Sequence, residues 1–154
     1  MKRIAFFGHR FIAESEEVRK LIKNLLIEKT KQGYGEILVG NHGDFDKIVL
    51  SECIKYKQEV DESLEVTLVL STLSCLGKTK EIWEQEKLYQ TITYEIESVY
   101  YKNRIIFTNK KMVDNCDLVV CYVNMNRGVS GAKRAVNYAK KQKKKIINLF
   151  NMFL

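Results

Sequence analysis

The feature that most constrains this chain is the order in which two hydrophobic periods follow one another. Short apolar runs at Arg3–Phe7, Glu36–Val39, Leu64–Leu70, Asp117–Val123 and Lys145–Phe150 alternate with stretches of helical periodicity. That alternation specifies an α/β fold built on a mostly parallel sheet. The run DLVVCYV is almost continuously apolar, as a strand covered on both faces must be. In the first helical stretch Val18, Leu21, Ile22, Leu25 and Leu26 form one apolar stripe behind Ser15, a candidate N-cap followed by Glu16 and Glu17. Gly33 and Gly35 end that helix. Ile48, Val49, Glu52, Cys53 and Tyr56 mark a second helix, and another is expected near 103–115. The last, Ser130 to Lys143, carries Ala132, Ala135, Val136 and Ala139, a small-residue face suited to close packing on a sheet. The expectation is a single Rossmann-like domain over residues 1–154, its sheet of about five strands flanked by helices.

Residues 72–102 fit this pattern least. They contain the only tryptophan, Trp83, together with Tyr89, Tyr94, Tyr100 and Tyr101. A helix at about 80–90 is expected there, within a segment suited to a lid, a pocket wall or an aromatic patch for self-association.

Composition excludes several classes of protein. No apolar run approaches the roughly 20 residues of a membrane span. The apolar patch in MKRIAFFGHR is far shorter than the ~7–15 residues of a signal-peptide core. The expected location is therefore the cytoplasm. The cysteines, Cys53, Cys75, Cys116 and Cys121, form no CxxC pair, so reduced and mostly buried thiols are expected rather than a zinc site. Much of the formal net charge of +7 lies in the run Lys140 to Lys145. Cations at the end of a helix favour the negative pole of its dipole, which accounts for the run without nucleic acid. The tail Met152-Phe153-Leu154 could cover a sheet edge or meet a second copy in a homo-oligomer.

In a parallel sheet the carboxyl ends of the strands share one edge, where ligands bind. Three irregular, glycine-containing loops follow strands here: Gly8-His9-Arg10, then Gly40-Asn41-His42-Gly43-Asp44, then Asn124 to Gly131. The third opens directly onto a helix, so Ser130 can cap while free N–H groups face an anion, and Arg127 or Arg10 can clamp a phosphate. It is neither a Walker A loop nor a GxGxxG turn. Arg10 could instead pair with Glu14, Asp44 could cap the second helix, and Asp46 faces solvent or a ligand. His9 and His42 show no metal-ligand spacing, and no metal site is expected.

The segments IAFFGHR, ILVGNHGDFD, NKKMVDNCDLVVCYVN and GVSGAKRAVNYAKKQKKKIINLF, in that order, resemble the YspA-like branch of the SLOG superfamily. These are Rossmann-like proteins related to the Lonely Guy phosphoribohydrolases and to DprA. The resemblance runs from residue 3 to about 150 and is weakest at 72–102. It implies a central first strand with the fourth expected strand beside it, and a pocket for nucleotides or nucleotide-derived molecules. Gly8, His9 and Arg10 match the first motif, Gly40, Gly43, Asp44 and Phe45 the second, and Gly128, Ser130 and Gly131 the phosphate loop. The PGGxGTxxE signature of the Lonely Guy enzymes is replaced by NRGVSGAKRAV, without its proline, double glycine or glutamate. Hydrolysis by their route is not expected.

The expected function is binding of a nucleotide-like small molecule, as a sensor or sequestering module with no other cofactor. Gly128, Ser130, Gly131 and Arg127 would take phosphate and Asn41 and Asp44 ribose or base. His9 and Arg10 would line the floor, with Gly8, Gly40, His42, Gly43, Phe45 and Asn124 around them. One alternative is a glycosidic-bond hydrolase or transferase acting on nucleosides or nucleotides, with Asp44, or a glutamate from 81–97, as nucleophile or base. Another is DprA-like binding of single-stranded nucleic acid through the lysine run.

Overall fold

Six parallel strands form the centre of the protein in a computed structural model that describes residues 1–72 and 88–153. The elements are β1 (Lys2–Gly8), α1 (Ser15–Lys31), β2 (Tyr34–Val39), α2 (Asp44–Glu59), β3 (Glu65–Val69), β4 (Gln90–Ile92), α3 (Arg104–Asp114), β5 (Leu118–Tyr122), α4 (Gly131–Lys141) and β6 (Lys145–Asn148). Their order across the sheet is β4-β3-β2-β1-β5-β6. The chain winds outward from β1 through β2, β3 and β4, then returns to place β5 on the other side of β1. Phe6 of β1 is thus flanked by Val39 of β2 and Val120 of β5. The fold is Rossmann-like α/β, with its switch point between β1 and β5.

Alternation along β1 divides the core into two layers. Ile4 and Phe6 face α1 and α2, packing with Val18, Ile22, Phe45 and Val49. Ala5 and Phe7 face α3 and α4, packing with Met112, Val113, Ala135, Val136 and Ala139. Cys53, Cys116 and Cys121 are buried free thiols, and burial pushes Cys116 up to about 11 and Cys121 up to about 12. Cys75 lies outside the described residues.

Several boundaries differ from expectation for local reasons. The sixth strand, β4, is only QTI, too short to show any alternation, yet it pairs with β3 at Thr67–Gln90 and Val69–Ile92. The helix expected at about 80–90, with Trp83, falls on residues outside those described up to 87, and Gln90 is already strand. Ser15 is the first helical residue and not the cap. Glu14 occupies the cap position of α1 without a side-chain cap bond, because its carboxylate accepts from Tyr122 Oη at 2.7 Å. The same bond takes Glu14 away from the pairing with Arg10 that the sequence allowed.

The last strand stops at Asn148, short of the expected Phe150, because a side-chain amide takes over from the backbone. Asn148 Oδ1 accepts from the N–H groups of Val123 and Phe150, and Nδ2 donates to Val123 O. The chain then turns into a 3₁₀ segment, Leu149–Phe153. Among the described residues no helix is long and apolar enough to cross a membrane.

Candidate functional site

The loops after β1 and β2 are locked together by two glycines. A Cβ on Gly8 would sit 2.2 Å from Phe45 Cγ, so only glycine lets the Phe45 ring lie beneath the end of β1. Phe45 is fully buried there, 6.3 Å from the Phe6 ring and 6.2 Å from Tyr122. Gly43 has φ +147, and a Cβ on it would approach Arg10 Cα to 2.5 Å. That close approach lets Asp44 N–H donate to Arg10 O at 2.9 Å and Phe45 N–H to His9 O at 3.4 Å. Asp44 Oδ2 in turn accepts from Ile12 N–H at 3.1 Å. The start of α2 thus spends donors and a carboxylate on holding residues 9–12 in place.

The third loop is joined to the first by His9. Its N–H donates to Tyr122 O at 3.2 Å, and its Nε2 accepts from Asn124 N–H at 2.8 Å. An accepting Nε2 requires a neutral ring with the proton on Nδ1. Burial, and then Arg127, lower the pKa of His9, which favours the same form. Asn124 builds the turn that follows, Oδ1 accepting from Asn126 N–H and its carbonyl from Arg127 N–H. Ser130 caps α4, with Oγ accepting from Lys133 N–H at 3.1 Å. The first turn of α4 contains no acidic residue. Among the described residues the N–H groups of Gly131 and Ala132 donate to no protein acceptor.

These loops enclose a cavity of about 350 Å³ at the switch point, within the range of small-molecule sites. Of the residues singled out in the sequence, Gly8, His9, Arg10, Gly40, His42, Arg127, Ser130 and Gly131 line it. Asn41, Gly43, Asp44, Phe45, Asn124 and Gly128 do not: they are exposed, buried in the core, or engaged in holding the loops. Asp44, the candidate nucleophile or base, belongs to this second group.

Among the described residues the carboxyl that does reach the cavity is Asp46. It is 9% exposed, and its Oδ2 accepts from His42 N–H at 2.9 Å. Burial pushes it up to about 6, against the opposing pull of that hydrogen bond and of Arg10. His42 Nε2 lies 2.9 Å from Ser71 Oγ, and burial, then Arg10, lower its pKa. Arg10 and Arg127 are exposed at the cavity and form no salt bridge among the described residues. Phe11, 84% exposed, stands at the mouth, while Ile105, Asn109 and Met112 of α3 form the far wall.

A signal for Asp46 was present in the sequence, since it shares the inward stripe of α2 with Val49 and Cys53. A charged residue in such a stripe is the unusual observation. The wall from α3 had no such signal, because its approach to the cavity depends on how α3 packs beside α4. Compared with known proteins, the sequence matches no family model and no curated relative.

Proposed function

We propose that the protein is a SLOG-type module that binds a nucleotide or nucleotide-derived small molecule in the cavity at the switch point. The observation that carries this reading is the meeting of Arg10, Arg127 and the N-terminus of α4 around one cavity. Free N–H groups at a helix start, with the positive pole of the dipole behind them, favour an anion. Lys133, in the first turn of α4, does not line the cavity; its Nζ donates to Arg127 O at 2.7 Å and so ties down the loop that presents Arg127. A bound phosphate accepts from the free N–H groups of Gly131 and Ala132, and Arg127 clamps it.

Binding without turnover suits the carboxyl count. Among the described residues Asp46 is the one carboxyl lining the cavity, whereas glycosidic cleavage generally uses two. Sensing or sequestering a ligand needs no second acid.

Mass spectrometry of small molecules released from the native protein, followed by calorimetry with ribonucleoside mono- and diphosphates, tests the proposal. Gly131→Glu is the diagnostic variant. A Cβ at Gly131 meets nothing within 4 Å, so the side chain fits, and a carboxylate at the start of a helix is favourable. It should keep the fold and abolish binding. Unchanged affinity in this variant counts against the phosphate assignment.

A further inference from the structure

Two acidic side chains of α2 are buried, and they are treated differently. Glu52 is paired with Arg19 at 3.1 Å and Lys55 at 3.7 Å. Asp46 has no ion pair among the described residues, and its Oδ1 forms no hydrogen bond among them. The carboxyl lies on the cavity wall beside Gly40 and His42. Gly40 leaves it room, for a Cβ there would lie 3.2 Å from Asp46 Oδ2 and 3.4 Å from the His42 ring. Burying an unpaired carboxyl is costly, and Asp44, two residues earlier, already does the structural work of this turn. The motif DFD divides its acids, one holding the loop and one facing the cavity.

Resting on the phosphate assignment above, we infer that Asp46 reads the hydroxyl groups of the ligand's sugar, so that the site selects a phosphorylated ribose over its deoxy counterpart. A carboxylate has about four acceptor positions, and His42 N–H uses one. Both hydroxyls of a vicinal diol can donate to those that remain. Two of the polar groups of His42 are already taken, its backbone N–H by Asp46 and its Nε2 by Ser71.

Position favours the sugar over the base. Asp46 belongs to the loop region after β2 and the anion end to the loop after β5, with only β1 between them. At the usual strand spacing their sideways offset along the sheet is about 10 Å, the scale of a phosphorylated pentose with a hydrogen bond at each end. The base would then project toward the mouth, where the exposed ring of Phe11 can stack on it.

The test uses ribose 5-phosphate, 2-deoxyribose 5-phosphate, inorganic phosphate and the pair AMP and GMP. Calorimetry is combined with amide chemical shifts at Gly131, for the anion end, and His42, for the carboxyl end. The native protein should bind ribose 5-phosphate at least ~10-fold tighter than the deoxy sugar, about 1.4 kcal/mol. Asp46→Asn should reduce that preference to under about twofold while inorganic phosphate still shifts Gly131. A ribose preference that survives in Asp46→Asn, or a preference for GMP over AMP that Asp46→Asn removes in place of any preference for ribose 5-phosphate, overturns the assignment to the sugar and leaves the phosphate site standing. If no phosphorylated probe shifts Gly131 in the native protein, the phosphate reading fails, and this inference with it.

Discussion

Replacing Asp46 by asparagine should stabilise the protein at neutral pH, although it removes a carboxylate from the first turn of a helix. Burial raises this carboxyl from its ordinary 3.8 to about 6, so between those values the folded protein holds a proton that the unfolded chain has released. Stability contributed by that proton is complete below about pH 4 and is lost as pH rises through about 6. At about 1.4 kcal/mol per pH unit, the cost of the ionised group at pH 7.5 is on the order of 3 kcal/mol. Asparagine escapes that cost and keeps an oxygen for His42 N–H. It forfeits roughly 0.3–1 kcal/mol of interaction with the helix dipole and must place two N–H groups. The net gain should be about 1–2 kcal/mol at pH 7.5, or roughly 2–8 °C in Tm for a chain of this size. Urea denaturation of both proteins from pH 4 to 7.5 measures it. The difference between the two curves is the useful quantity, because the lowered pKa values of His9 and His42 act in the opposite direction in the native protein. An Asp46→Asn protein no more stable than the native one at pH 7.5, or a difference that does not grow between pH 4 and 6.5, would refute the reasoning. A confirmed gain would mean that the native residue lowers stability, as binding and catalytic residues often do.

Other consequences are simpler to state. Lys143 sits at φ +57 just beyond α4, a conformation that costs a side chain roughly 1–2 kcal/mol, so Lys143→Gly should raise stability by about 1 kcal/mol in the same denaturation assay. Gly8→Ala forces a methyl group into the Phe45 ring and should cost about 2–3 kcal/mol or more, visible as a drop in Tm even without ligand. Binding of single-stranded DNA through Lys140 to Lys145 would weaken steeply with added salt; fluorescence anisotropy with an oligothymidine should show no complex at physiological salt, and a tight, salt-sensitive complex there would favour the nucleic-acid reading instead.

The α/β architecture and most strand positions were legible because apolar period is a property of the chain itself, whereas the central β1 with β5 beside it was implied by the family resemblance and not by any period. β4 was not legible, since three residues carry no period and its place is decided by the exposed edge of β3. Convergence of the loops near residues 8, 42 and 128 was legible too, because parallel strands necessarily deliver their carboxyl ends to one edge. Which side chains turn inward was a different matter. Asp44 and Asp46 are equally acidic and only two residues apart, and the stripe that Asp46 shares with Val49 and Cys53 is a local sign of burial but not of what the carboxyl faces. Gly43 docks against the backbone of Arg10, which commits Asp44 to the neighbouring loop and rotates Asp46, about 200° further round the helix, into the cavity. The amino-acid order alone determined the layers and the edge at which a ligand can enter. Long-range packing of β1, α2, α3 and α4 decided the cavity wall and the buried carboxyl of Asp46 on it, because side-chain direction at a helix start depends on what the helix rests against.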